Sequence, residues 1–183
     1  MAPATHVALI RGINVGGKNP VPMARLRAVL EDRGMASTRT YIQSGNVVLD
    51  APHLSVDEVV AEIEFVLSES FGVDTVVVVV DSATLLRAVF DAPPEFGDLP
   101  DLYHYDVAFL RPGLSGADAL AAFGIRDGVD AAWYGDGVVY FRRLSAERTR
   151  SRMSKVVGTP QYRDMTIRNW RTTTTLAAMV GMD

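Results

Sequence analysis

The 183-residue chain has no cysteine. That excludes a disulfide scaffold, a thiol nucleophile and cysteine-ligated zinc, and it fits a reducing compartment. Histidine is almost as scarce. His6, His53 and His104 lie far apart in sequence, so neither a metal centre nor a histidine-dependent triad is expected. No Gly-x-Ser-x-Gly elbow occurs, which removes the hydrolase arrangement built on it. Long apolar runs are also missing. The valines at 76–80 form a stretch far too short to cross a bilayer. The first residues lack the basic region and apolar core of a secretory leader. These absences point to a soluble, cytoplasmic protein with no membrane partner, no resident metal and no visible catalytic constellation.

Hydrophobic residues make up 48% of the chain and charged residues 22%. That is enough apolar material for a core and argues against wholesale disorder. The net charge of −4 conceals an asymmetry. Residues 1–141 carry 9 Lys and Arg against 19 Asp and Glu, a net of −10. Residues 142–171 carry 9 against the 2 acids Glu147 and Asp164, a net of +7. A basic segment in an acidic chain can focus an anionic ligand.

Residues 5–13 contain Val7-Ala8-Leu9-Ile10 and read as a strand. Pro20 and Pro22 hold off the first helix until Met23, after which Met23, Leu26, Val29 and Leu30 recur at helical spacing up to Gly34. Residues 38–44 and 47–50 read as strands joined by a two-residue turn over Gly45-Asn46. Ser55-Val56-Asp57-Glu58 is a capping box opening a helix expected to bury Val59, Val60, Ile63, Val66, Leu67 and Phe71. Residues 75–80 are β-branched throughout and read as a central or well-covered strand, with a helix over 82–90 after it. The second half repeats this order. It has a strand at 107–111, a short helix at 118–123, and a hairpin over Asp136-Gly137. A polar helix over 147–157, a strand at 165–168 and a last helix capped by the threonines at 172–175 follow.

Val107-Ala108-Phe109-Leu110-Arg111 echoes Val7-Ala8-Leu9-Ile10-Arg11 at an offset of 100. Asn46-Val47-Val48 and Thr84-Leu85 recur as Gly137-Val138-Val139 and Thr175-Leu176 at an offset of 91. A self-match of this kind marks a duplication. The expected fold class is α+β: two ferredoxin-like repeats, each β-α-β-β-α-β with an antiparallel sheet, and an extra helix after each repeat. The stretch 91–101 is rich in Pro, Gly and acid and reads as the junction, which places the repeats at 1–97 and 98–183.

The two copies differ after their first strand. The first continues Arg11-Gly12-Ile13-Asn14-Val15-Gly16-Gly17-Lys18-Asn19, the second only Arg111-Pro112-Gly113. Glycine lets a backbone approach a partner closely, and Arg and Lys add donors suited to an anion. Residues 12–18 satisfy the first seven positions of the phosphate-loop pattern G-x-x-x-x-G-K. The eighth fails, because Asn19 stands where a Ser or Thr should hold Mg²⁺, and Pro20 and Pro22 block the helix that should follow. The hairpin signals argue for an antiparallel sheet, not the parallel sheet of such a nucleotidase. The stretch reads instead as an anion-binding loop of another kind. Elsewhere, Ser44 and Asn46 offer a hydroxyl and an amide at a hairpin tip, and Trp170 beside Arg168 and Arg171 offers a ring for stacking. Residues 134–141 agree with an RNA-recognition strand motif at about half its positions.

The nine residues at 11–19, Pro22-Met23, the hairpin at 40–48 and Thr166-Ile167-Arg168-Asn169-Trp170 resemble a bacterial family, domain of unknown function 1697. The resemblance implies duplicated α/β plaits and brings no established activity or cofactor. In relatives the late motif reads Arg-Asn-Trp-Asn with a lysine near its end, where this chain has Arg171 and Thr175. The candidate ligand-binding residues are Arg11, Gly12, Asn14, Gly16, Gly17, Lys18 and Asn19 of the loop, Ser44 and Asn46 of the hairpin, and Lys155, Arg168, Asn169 and Trp170 of the basic half. The two groups are expected to converge on one cleft. The expected function is a binding module for a phosphorylated small molecule or nucleotide. The alternatives are a nucleic-acid-binding protein using the basic segment 142–171 and a phosphoryl-handling enzyme.

Overall fold

The computed structural model describes residues 5–181. The first repeat runs β1 (His6–Ile10), α1 (Met23–Asp32), β2 (Ala36–Tyr41), β3 (Asn46–Asp50), α2 (Val56–Phe71), β4 (Val77–Asp81) and α3 (Ser82–Phe90). The second runs β5 (Tyr103–Leu110), α4 (Gly116–Ala122), β6 (Asp130–Gly135), β7 (Val138–Leu144), β8 (Met165–Asn169) and α5 (Trp170–Gly181). Three 3-10 turns, Ser145–Arg150, Met153–Gly158 and Pro160–Asp164, lie between β7 and β8. Each repeat forms one antiparallel four-stranded sheet, ordered β2-β3-β1-β4 and β6-β7-β5-β8. The chain therefore adopts the expected α+β duplication. By compactness it divides into residues 1–85 with 175–183, and residues 86–174.

In the first unit Ala8, Ile10, Val47, Leu49, Val77 and Val79 alternate along three strands. They pack with Met23, Leu26 and Leu30 of α1 and Val59, Ile63, Val66 and Leu67 of α2, so a period of two meets a period of 3.6. Val7, Leu9, Val48 and Val78 point the other way and are buried too, which is why these strands read as continuous apolar runs. The capping box forms as expected. The Ser55 hydroxyl accepts from the Glu58 N–H, and the Glu58 carboxylate accepts from the Ser55 N–H. Among the described residues β4 pairs with β1 alone, so it is an edge strand and not a central one, though its four valines are buried. The Val77 N–H donates to the Glu64 carboxylate of α2 at 3.1 Å. A side chain thereby answers a donor on the sheet edge.

In the second unit Ala108, Leu110, Val139, Phe141 and Met165 pack with Ala119 and Phe123 around α4 and with Met153 and Val156 of the middle 3-10 turn. The polar helix expected over 147–157 is corrected to 3-10 turns. Met153 and Val156 are three residues apart, a spacing that a 3-10 turn eclipses on one side. Gly158 and Pro160 oppose continuation, and Arg148 and Arg152 would face each other on an α-helix.

The two-residue turn over Gly45-Asn46 is also corrected. The connection is four residues, 42–45, and Asn46 is a fully buried member of β3. Its amide donates to the Tyr41 carbonyl and the Ser44 hydroxyl, each at 3.1 Å, as a buried amide must. Leu9 lies opposite Asn46 and Phe109 opposite Val138, so the internal match shifts by one residue and Gly45 corresponds to Gly137. Their carbonyls accept from the N–H groups of Ile10 and Leu110 at 2.8 and 3.0 Å. A Cβ on Gly45 would come within 2.7 Å of the Ile10 carbonyl, which explains that glycine. The later match shifts as well. Asp81 accepts from the Thr84 N–H at 2.6 Å, and Asn169 accepts from the Thr172 N–H at 2.8 Å, so strand ends 81 and 169 correspond and each caps the helix after it. Asn169, not the threonines at 172–175, caps α5. The Thr173 and Thr174 hydroxyls instead bond back to the carbonyls of Asn169 and Trp170.

Candidate functional site

The connection from β1 to α1 spans residues 11–22, against 111–115 between β5 and α4. Arg11 extends β1. Its N–H donates to the Val76 carbonyl at 3.0 Å, and its own carbonyl accepts from the Thr75 hydroxyl. Ile13 is fully buried and anchors the loop in the core. Val15 and Lys18 bridge across Gly16-Gly17, and both glycines have positive φ, 59° and 74°, as a type I′ turn requires.

Two asparagines lock this loop. The Asn14 amide donates to the carbonyls of Val21 and Gln43 and accepts from the Val21 N–H, each at 2.8 Å. The Asn19 amide donates to the Gly12 carbonyl at 3.1 Å. Loop 11–19 and the turn at 42–45 are thereby held as one piece. Asn14, Asn19, Ser44 and Asn46 all have bonds inside the fold, while Gly12, Gly16, Gly17 and Lys18 lie on the exposed side. Asn14, Asn19 and Ile42 take φ of 56°, 48° and 49°. For a β-branched residue this is an outlier, and the Ile42 side chain is 51% exposed, so burial does not compensate. Sequence reasoning missed Ile42, because a β-branched residue gives no sign of a left-handed backbone.

Lys155, Arg168, Asn169 and Trp170 belong to the second unit. Lys155 is exposed, its stem beside Gly124. The Arg168 guanidinium donates to the Thr166 hydroxyl and the Ile167 carbonyl, each at 2.9 Å. Burial pulls it down to about 10, which leaves it charged at neutral pH. Trp170 begins α5, and its ring meets Phe96 edge-on, centroids 5.1 Å apart. Phe96 also meets Tyr105 at 4.9 Å, Tyr140 at 5.4 Å and Trp133 at 6.2 Å. A buried phenylalanine from the Pro- and Gly-rich junction thus holds an aromatic cluster together. Its one legible signal was a large apolar residue in an otherwise polar stretch. Tyr140 is buried, donates its hydroxyl to the Ala88 carbonyl at 2.8 Å, and is pushed up to about 12 by burial. Phe141 is in the core. Of the aromatics in the RNA-recognition-like stretch 134–141, Tyr140 and Phe141 are thereby occupied within the fold, while Tyr134 is 59% exposed.

Beside this cluster is a cavity of about 380 Å³ whose walls include Tyr103, His104, Tyr105, Trp170 and Arg171. Among the described residues no group of three or more His, Asp or Glu side chains could hold a metal ion. No helix among them is long and apolar enough to cross a membrane.

A family model described as a protein of unknown function, DUF1697, matches residues 4–140. The chain belongs to this family. The matched span holds the whole of loop 11–19 and the turn at 42–45, and it ends before Lys155. The conserved bacterial protein SP0830 from Streptococcus pneumoniae has a similar structure, with a TM-score of 0.81 and 24% identity over 98% of this chain and 99% of that one. At that identity the likeness shows the fold. No curated protein matches the chain.

Proposed function

We propose that this member of the family is a binding module for a phosphorylated small ligand or nucleotide, held at loop 11–19 and the turn at 42–45. The observation that carries this reading is the left-handed backbone of Asn14 and Asn19 in the loop and of the exposed Ile42 in the turn that Asn14 bonds to. Such strain is held by surrounding structure and gathers at ligand clamps. The second repeat makes the same connection in five residues, so the fold itself does not need the extension. An arginine can grip an anion with two parallel bonds, lysine adds a movable point charge, and turn N–H groups make an anion-binding concavity.

A thermal-shift screen of nucleoside and sugar phosphates tests this, since a ligand that binds the native state raises the midpoint. Lys18→Ala should leave the melting temperature of the free protein within about 1–2 °C. It should weaken the ligand found by roughly tenfold. If Lys18→Ala leaves every affinity unchanged and Arg11→Ala unfolds the protein, the loop is structural. Mg²⁺-dependent turnover of the ligand would instead favour the enzyme reading.

A second reading draws support from the 3-10 stretch between β7 and β8, which exposes Arg148, Arg150, Arg152, Lys155 and Arg163. Nucleic acid bound there would show a steep salt slope, whereas a single phosphorylated ligand would show a shallow one.

A further inference from the structure

The cavity in the second unit has a geometric origin. The pairing of β5 with β8 begins at Asp106 opposite Asn169, and α5 starts at the next residue, Trp170. Residues 103–105 of β5 therefore run on past the end of β8, and the gap between them and the first turn of α5 is the cavity. It is an open cleft, and its volume of about 380 Å³ is in the range of small-molecule sites.

Its lining is chemically sorted. Tyr103, Tyr105 and Trp170 supply aromatic surface, and Arg171, His104 and Asn169 supply polar groups. Among the described residues no carboxylate lines it, although acids outnumber bases in this chain by 22 to 18. The Asn169 carbonyl oxygen is engaged by the Thr172 N–H, which leaves its NH₂ group as the donor it can offer. The Tyr103 ring is itself held by Arg142, whose guanidinium lies 4.3 Å from the ring centroid. Aromatic walls with cationic and N–H donors and no acid suit a planar ring that carries negative charge. Trp170 is held in place by Phe96 and by Gly97, where any Cβ would overlap the indole nitrogen. The wall is therefore preformed, which lowers the cost of binding.

We infer that this cavity is a binding site for a small ligand made of a planar aromatic ring and one anionic group. This inference does not rest on the loop reading above.

The test titrates the full chain with adenosine monophosphate and with indole-3-acetate, and in parallel with neutral adenosine and indole. Binding is followed by the indole N–H signal of Trp170 and the backbone amide of His104. At least one anionic probe should saturate both signals, and its neutral counterpart should bind roughly tenfold more weakly or worse. Which probe binds distinguishes a phosphate from a carboxylate. Arg171→Met and His104→Ala should each weaken the anionic probe several-fold without changing its neutral counterpart. Lys18→Ala should change neither, which separates this site from the loop. The inference is overturned if neither anion moves these signals, if the neutral probe binds as tightly, or if both variants bind like the parent.

Discussion

Gly97 and Gly12 both have positive φ, +99° and +68°, yet their alanine variants should behave differently. A Cβ on Gly12 meets open space, whereas a Cβ on Gly97 runs into the Trp170 ring. Gly12→Ala should cost about 1 kcal/mol, the left-handed penalty alone. Gly97→Ala adds an overpacking term and should cost about 3 kcal/mol or more by urea denaturation. Equal losses would mean that Trp170 moves aside freely. Asp106 offers a charge test. It is buried 3.2 Å from Arg143, and its contacting oxygen lacks a well-aligned hydrogen bond. Burial pushes its carboxyl up by more than Arg143 and His104 pull it down. A carboxyl raised on folding stabilises most fully below its ordinary value of 3.8, and that contribution is lost as pH rises through the raised value. Asp106→Asn mimics the protonated form, so it should be at least as stable as the parent at pH 7, with an advantage that shrinks towards pH 4. A loss above about 1.5 kcal/mol at pH 7 would show that the ion pair outweighs the desolvation.

At the level of elements, the edge of β4 depends on a side chain of α2. Glu64→Leu removes the acceptor of the Val77 N–H. It should cost about 1–2 kcal/mol and speed hydrogen exchange at the Val77 amide. Glu64→Gln keeps a carbonyl there and should preserve the protection. Unchanged exchange in the leucine variant would show that the amide is shielded another way. Most elements were legible because each is decided locally. The Ser55–Glu58 box announced α2, and alternating or unbroken apolar runs announced the strands. The stretch 145–164 was not legible in this way. Its Arg, Lys, Glu and Met are helix formers, but Gly158 and Pro160 interrupt it, and the stretch is broken into three 3-10 turns. These should exchange faster than α2, since their i to i+3 bonds are poorer.

At the level of the whole molecule, the C-terminal part of α5 serves the first unit. Leu176 is fully buried, Ala177 and Val180 nearly so, and the Arg39 guanidinium donates to the Met179 carbonyl at 2.7 Å. Deleting residues 175–183 should cost about 3–5 kcal/mol, which lowers the melting temperature by roughly 10 °C. An unchanged melt by circular dichroism would mean that this segment adds nothing to the fold. The sequence by itself determined the fold class, the duplication and the position of the elaborated loop, because apolar period, capping residues and glycine placement act over a few neighbours. Only the tertiary structure decided what individual polar residues do. Asn14 reaches Val21 and Gln43, Asn46 is sealed inside β3, Asn169 caps α5, and Phe96 clamps Trp170. An amide or an aromatic ring looks the same in a sequence whether it serves a ligand or its own fold. The difference lies in which distant groups chain folding brings within bonding distance.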